Sequence, residues 1–402
     1  MTNDLRSTGS VPRPAARRRG VFGVTSALLV TGALVVSGSP PASASPGFAA
    51  LAGARPASSS AVFTTSPAFV ERGLFGRSDP TYDGVYRQGL AILGLRASDV
   101  RVPASAVRWL RAQQCRDGGF ASYRAPGAPC PRTDLSAFTG EDTNSTALAA
   151  MALLATNQRT SAGRALRWLR STQRPGGGFP YLRGAPADAN STGLALSALA
   201  TIGRTPQGLR RGTSSAYSYL RTLQLRCAYP RGSRGALAYQ SGRPLVANDL
   251  ATTQALTGLS STLIIEPGTI RRVKPTVRCS APPAAAQIGR IGVREAAAGY
   301  LARALLAHGG GLDNSFGGGK DWNATAWAVL GLRAAGLGRL GAALGDRALR
   351  THVNDYTLES NRALGARPAA LGTLLLVAHA GGANPRRYGG VNLVFRLRST
   401  LG

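Results

Sequence analysis

Ala106-Val107-Arg108-Trp109-Leu110-Arg111, continued by Gln114 and the turn Asp117-Gly118-Gly119-Phe120, returns later in the chain as Ala165-Leu166-Arg167-Trp168-Leu169-Arg170 with Gln173 and Gly176-Gly177-Gly178-Phe179. Each copy opens a second apolar segment: Asp142-Thr143-Asn144-Ser145-Thr146-Ala147-Leu148, then Asp188-Ala189-Asn190-Ser191-Thr192-Gly193-Leu194. A unit of roughly 45 to 70 residues made of two helix-like halves marks a stacked repeat architecture. The halves differ in character. In the first, Arg164, Arg167 and Arg170 fall on one side and Ala165, Trp168, Leu169 and Thr172 on the other, an amphipathic helix with one wet face. The second, as in residues 191–202, is apolar or small nearly all round and needs burial on every side. Wet helices around dry ones make a closed two-layer ring.

Six helix pairs are expected, with inner helices beginning near Asp83, Asp142, Asp188, Asp249, Asp321 and Pro368. Tyr219-Leu220 and Tyr300-Leu301 read as weaker copies of the Trp-Leu pair. The expected fold is all-α, an α/α toroid of six hairpins over residues 61–402. Residues 227–247 and 266–288, rich in Arg, Gly and Pro, read as loops displayed on one face.

Ahead of this domain, residues 1–44 read as an export signal. Arg17, Arg18 and Arg19 precede an apolar stretch from Val21 to Val36, and Ala42-Ser43-Ala44 is a small-residue cleavage site. The stretch is short and carries Gly, Ser and Thr, so cleavage near Ala44 is expected rather than anchoring. Arg18-Arg19-Gly20-Val21-Phe22 leaves a twin-arginine route open beside the ordinary secretory one. Residues 45–60 form a leader rich in Ala, Ser, Pro and Gly, and no later run is long enough to span a bilayer. The expected location is secreted or cell-surface associated.

Forty-eight basic against 18 acidic residues give a net charge of +30, almost all of it arginine; Lys274 and Lys320 are the only lysines. A basic exported chain is drawn to anionic envelope polymers. Without interleaved aromatic and basic residues, specific nucleic-acid recognition is not expected. The four cysteines, Cys115, Cys130, Cys227 and Cys279, suggest two disulfides in an exported chain. Proximity within the repeats selects Cys115–Cys130 and Cys227–Cys279 from three possible pairings. There is no C-x-x-C and no histidine near a cysteine, so no metal site and no cofactor are expected.

Trp109-Leu110-x3-Gln114-x3-Gly118-x-Phe120 and Trp168-Leu169-x3-Gln173-x3-Gly177-x-Phe179 resemble the QW-type repeat of the squalene cyclase and protein prenyltransferase superfamily, sharply over about 105–205 and more faintly beyond. The resemblance implies an α/α toroid, a glutamine tying the outer helix to the following turn, and glycines allowing that turn to reverse. It says little about activity. The D-x-D-D acid of squalene–hopene-type cyclases does not occur, nor does the Cys-Gly-Glu-Gln element of thioester domains. The Asp, Cys and His zinc set of prenyltransferases has no counterpart on inner helices, and His379 reads as core-associated. Cobalamin carriers of the superfamily open their inner helices with a similar Asp-Thr, although the β domain completing their cage is not evident here.

What remains is Asp-x-Asn-Ser-Thr before the inner helices. Asp142/Asn144/Ser145 and Asp188/Asn190/Ser191 are clear copies; Asn248/Asp249/Thr252 and Asp321/Asn323/Thr325 are looser. Such residues cap helices, at about 1 kcal/mol each. Several helix starts converging on one rim would also favour a polar or anionic ligand group. The sequence therefore points to a non-catalytic toroid binding a small molecule, isoprenoid or corrin-like, through Asp142, Asn144, Asp188, Asn190, Asp249, Asp321 and Asn323. One alternative is an enzyme on isoprenoid substrates using Asp142 or Asp188 as a buried acid. Another is a basic adaptor for anionic cell-envelope polymer using the arginine-rich loops.

Overall fold

Helices of two kinds alternate along the chain. In the computed structural model, which describes residues 68–242, 244–260, 263–271, 279, 291–314 and 317–402, they form six pairs. These are α1 (Gly84–Ala97) with α2 (Ala104–Ala112), α3 (Thr143–Ala155) with α4 (Arg159–Thr172), and α5 (Ala189–Ala200) with α6 (Ala216–Thr222). There follow α7 (Asp249–Ser260) with α8 (Val293–Ala307), α9 (Trp322–Ala335) with α10 (Arg339–Thr351), and, after the short α11 (Val353–Thr357), α12 (Pro368–Ala380) with α13 (Leu393–Arg398). The expected export signal and leader, residues 1–44 and 45–60, lie outside the described residues, as does most of 272–288.

The first member of each pair is dry. α3 buries every residue from Thr143 to Leu153, and α12 buries all but Ala369 and His379 of its thirteen. α4 and α10 bury one face only. Among the inner helices, α1 packs on α3, α3 on α5, α5 on α7, α7 on α9, α9 on α12, and α12 back on α1. The circle is complete, and the fold is an all-α toroid of six hairpins. Strand content is limited to two ribbons in the described residues. β1 (Phe179–Pro180) pairs antiparallel with β2 (Ala187–Asp188), and β3 (Arg210–Arg211) with β4 (Ser214–Ser215).

Small residues let the inner helices touch backbone to backbone. A methyl group on Gly94 of α1 would stand 2.7 Å from the Gly372 carbonyl oxygen of α12, and Gly193 and Gly258 bring α5 and α7 equally close. The first described segment meets the last to finish the ring. Phe75 bridges Leu401, the Gly73 N–H donates to the Gly402 carbonyl at 2.8 Å, and the Gly402 N–H donates to Leu74 at 2.9 Å. Fully buried Arg87 pins this strap by donating to the Ser78 carbonyl at 2.9 Å and to Asp83 at 3.0 Å.

The repeated glutamine joins one pair to the next. The Gln114 amide donates to its own turn at Gly118 (3.0 Å) and to Ser161 in the next outer helix (2.8 Å). Gln173 does the same to Gly177 and Leu209, both at 2.9 Å. A third copy, Gln224, donates to Gly235 at 3.2 Å and Val293 at 3.0 Å. The turn glycine must be glycine twice over: Gly177 has φ +91°, and a side chain there would collide with the Ser215 carbonyl of the next outer helix. Trp109 and Trp168 donate their indole N–H groups to Glu71 (2.7 Å) and Glu141 (2.9 Å). At the equivalent place Tyr219 donates to the Ala187 carbonyl.

Both disulfides form as expected, Cys115–Cys130 and Cys227–Cys279, with Cα separations of 5.9 and 5.7 Å. His379 sits half-buried on α12, 3.5 Å from Glu266. No helix of the described residues is long and apolar enough to cross a membrane.

Two substitutions test the joint. Gln173→Ala strands the buried Gly177 carbonyl and removes one of the two donors to Leu209, and should lower stability by about 1–3 kcal/mol. Gly177→Ala adds backbone strain to a clash and should cost about 3 kcal/mol or more. Gly176→Ala, at an open position with nothing nearby, should stay within about 0.5 kcal/mol of the parent in urea unfolding. Equal effects at 176 and 177 would contradict the assignment.

Candidate functional site

Four inner helices start in one register. Asp142 caps α3 by accepting the Ser145 N–H at 2.7 Å, and Asp188 caps α5 through Ser191 at 2.7 Å. Asn248 caps α7 through Ala251, and Asp321 caps α9 through Ala324, both at 2.8 Å. Four residues after each cap a threonine hydroxyl accepts an N–H from the preceding turn at 2.9 Å: Thr146 from Phe120, Thr192 from Phe179, Thr252 from Leu237 and Thr325 from Leu312. The motif therefore carries two structural jobs, capping the helix and fastening the turn to it. The first and last inner helices start differently. Asp83 pairs with Arg87, and Arg367, paired with Glu359 at 3.0 Å, precedes Pro368 at the first helical position.

This register separates the expected site residues. Asp249 is the first residue of α7, one place past the cap, and its carboxylate turns to the outer helix, where it accepts the Tyr300 hydroxyl at 2.5 Å. Asn323 is also occupied, accepting the Tyr356 hydroxyl at 3.1 Å. Asp321 is engaged as a cap. Asn144 and Asn190 are the contrast. Both are almost wholly buried, at 3% and 4% exposure, and the Oδ1 atom of each has no hydrogen-bond partner. The Thr143 hydroxyl beside Asn144 is likewise buried and unpartnered. Leaving a buried polar atom unpaired costs about 1–3 kcal/mol, so three such atoms on adjacent helix starts need a reason.

Two residues that sequence reasoning passed over stand next to them. The Asn190 amide donates to Gln254 of α7 at 3.1 Å, and Gln254 donates to the Tyr86 hydroxyl of α1 at 3.4 Å. α1 and α7 are opposite members of the six-helix circle, so this chain of contacts crosses the axis. A glutamine inside an otherwise dry helix was the available signal. Tyr181 and Tyr239 complete the surround. Their carbonyls accept the Thr143 and Ala189 N–H groups at 2.9 and 2.8 Å, and the Tyr181 hydroxyl lies 3.4 Å from Ser122.

Burial governs the electrostatics. It pushes the Asp142 carboxyl up to about 6 and that of Asp188 up to about 7, against the partial relief given by the Ser145 and Ser191 capping bonds. Burial also raises the Tyr86, Tyr181 and Tyr219 hydroxyls, which stay protonated. The two carboxyls therefore titrate much closer to neutral pH than an ordinary aspartate. Cys115, Cys130 and Glu141 lie close enough together to suggest a metal set, but the two sulfurs are bonded to each other.

No protein-family model and no curated protein matches the chain. Among solved structures it is similar to an ent-copalyl diphosphate synthase from Streptomyces platensis, at 19% identity and a TM-score of 0.44 over 76% of this chain and 51% of that one. It is also similar to the apo type II terpene cyclase MstE from Scytonema, at 14% identity and a TM-score of 0.43 over 75% and 88% of the two chains. A third is the Candida albicans protein geranylgeranyltransferase-I complexed with GGPP, at 13% and 0.37 over 76% and 77%. The chain spans about half the length of the Streptomyces synthase.

The raised acids predict the sign of the pH dependence. A carboxyl whose folded pKa exceeds its unfolded value of about 3.9 contributes stability in full below that value and loses it as pH rises through the folded pKa. For shifts of this size the loss is on the order of 3–4 kcal/mol per group. The protein should melt higher at pH 5 than at pH 8. Asp188→Asn, which keeps an oxygen for the Ser191 N–H, should flatten that slope without lowering the melting temperature at pH 8. A parallel slope in the variant would remove Asp188 from the account.

Proposed function

We propose that the chain is an exported binding protein that takes a small ligand at the inner-helix rim between α3 and α5. The observation that carries this reading is the pair of buried, unpartnered Asn144 and Asn190 carbonyl oxygens at equivalent places in adjacent repeats. Capping accounts for Asp142 and Asp188, and turn-fastening accounts for Thr146 and Thr192. Neither job uses the asparagine oxygens. Two free acceptors beside two acids favour a ligand that presents donors: hydroxyl, amine or amide N–H groups. A corrin-like ligand offers such groups along its periphery, and an isoprenoid would meet the site through a polar head rather than its hydrocarbon. The two disulfides support an oxidising compartment.

A second reading is favoured by one specific observation, the elevation of Asp188 to about 7. A buried carboxyl that is half protonated at neutral pH is matched to general-acid work. Isoprenoid turnover that survives intact in both Asp142→Asn and Asp188→Asn would eliminate it.

Native and denaturing masses of protein purified from its producing culture test the binding reading. A discrete extra mass is expected that disappears on denaturation, and its formula separates corrin from isoprenoid. Asn144→Ala combined with Asn190→Ala should lose that mass while melting within a few degrees of the parent. An adduct retained by the double variant, or a large stability loss with no adduct in the parent, would count against the rim as a binding site.

A further inference from the structure

Away from the rim, on the outer wall, the last turns of α4, the segment after α5 and the β3–β4 ribbon enclose a cleft of about 490 Å³. Its walls carry Arg167 and Arg170 from α4, Arg204 from the connecting segment, and Arg210 and Arg211 from the ribbon, over the buried floor residue Leu209. No carboxylate lines it. Five like charges around one concavity give it a positive potential that attracts anions.

Two of the five have local employment. The Arg211 guanidinium donates through Nη1 to the Ser171 and Gln173 carbonyls at 2.9 and 2.8 Å, closing the C-terminus of α4, and Arg210 donates to Thr213 at 3.0 Å. These bonds hold both guanidinium groups in place with nitrogens to spare. The side chains of Arg167, Arg170 and Arg204 have no hydrogen bond or ion pair to the protein among the described residues. Arginine presents a planar fork suited to phosphate oxygens. The cleft volume falls in the range of small-molecule sites, about 300–1,000 Å³, and exceeds what one phosphate fills.

We propose that this cleft binds an anion carrying two or more phosphate groups. The site is separate from the inner rim and stands whether or not the rim holds a ligand. Its backbone segments are tied together by the Gln173 bond to Leu209 and the Arg211 bonds to Ser171 and Gln173, so the five arginines are carried on one fixed frame. The phosphates can belong to a free oligophosphate or to a phosphodiester chain, since the cleft reads only their charge and oxygen geometry.

Calorimetric titration of the intact protein with inorganic tripolyphosphate in about 150 mM salt, where exposed charges are screened beyond about 8 Å, tests the site. One-to-one binding is expected, weaker for orthophosphate by about tenfold or more. Arg167→Gln, Arg170→Gln and Arg204→Gln together should weaken tripolyphosphate by at least about tenfold with the melting temperature unchanged. Because the whole chain is strongly basic, a charge-matched control is needed: Arg339→Gln, Arg347→Gln and Arg386→Gln, on exposed positions elsewhere, should bind like the parent. Glycerol phosphate oligomers that compete at the same arginines would assign the phosphodiester source, and their failure beside tight tripolyphosphate would assign the free one. Equal losses in both triple variants would show diffuse attraction and overturn the proposal, as would an absence of saturable binding.

Discussion

A glutamine side-chain amide that donates to two carbonyls at once is the joint on which the rest of the ring depends. Gln114, Gln173 and Gln224 each hold the glycine turn of their own repeat. Gln114 and Gln224 also hold the start of the next outer helix, and Gln173 the Leu209 carbonyl that in turn accepts the first N–H of that helix, Ala216. An outer helix has only one apolar face and would otherwise be free to slide along the inner layer. The amide sets its height, and the glycine at positive φ lets the next backbone pass close enough to be reached. Once the outer helices are placed, each turn delivers an N–H to the threonine four residues past an inner cap. The inner rim is built outward-in from that joint.

Most of this was legible in the sequence because it is periodic and local. The Trp-Leu-x3-Gln-x3-Gly spacing carries the joint, and Asp-x-Asn-Ser-Thr carries the cap and the fastening hydroxyl. All six inner-helix starts fall where the repeat placed them. Tyr219-Leu220-x3-Gln224 has the same spacing as the first two copies, so the third joint was available to a stricter count. Asp249 was harder. Asn248 and Asp249 are both good capping residues, and only the helix register shows that the asparagine caps while the aspartate faces Tyr300. The contacts with no local trace were invisible: Phe75 with Leu401, which closes the ring, and Tyr86 with Gln254, which crosses it. The arginine cleft belongs to the same class, since its walls come from three segments that meet only in the fold.

At the rim, folding engages some atoms of the motif and leaves others without a protein partner. The aspartate and threonine are consumed by folding, and their replacement would report on stability whatever the protein binds. The asparagine oxygens are buried without a partner, at a cost the fold itself does not repay. Burial raises both acids, and a hydrogen-bond donor or cation placed near Asp188 would lower its pKa.

The most direct test of the account is a high-resolution crystal structure of the protein taken from its producing culture, inspected at the rim between α3 and α5. The account predicts non-protein density larger than a water molecule within hydrogen-bonding distance of both the Asn144 and Asn190 side-chain oxygens. A rim in which both amides are satisfied by protein groups alone, with no bound molecule, would contradict it.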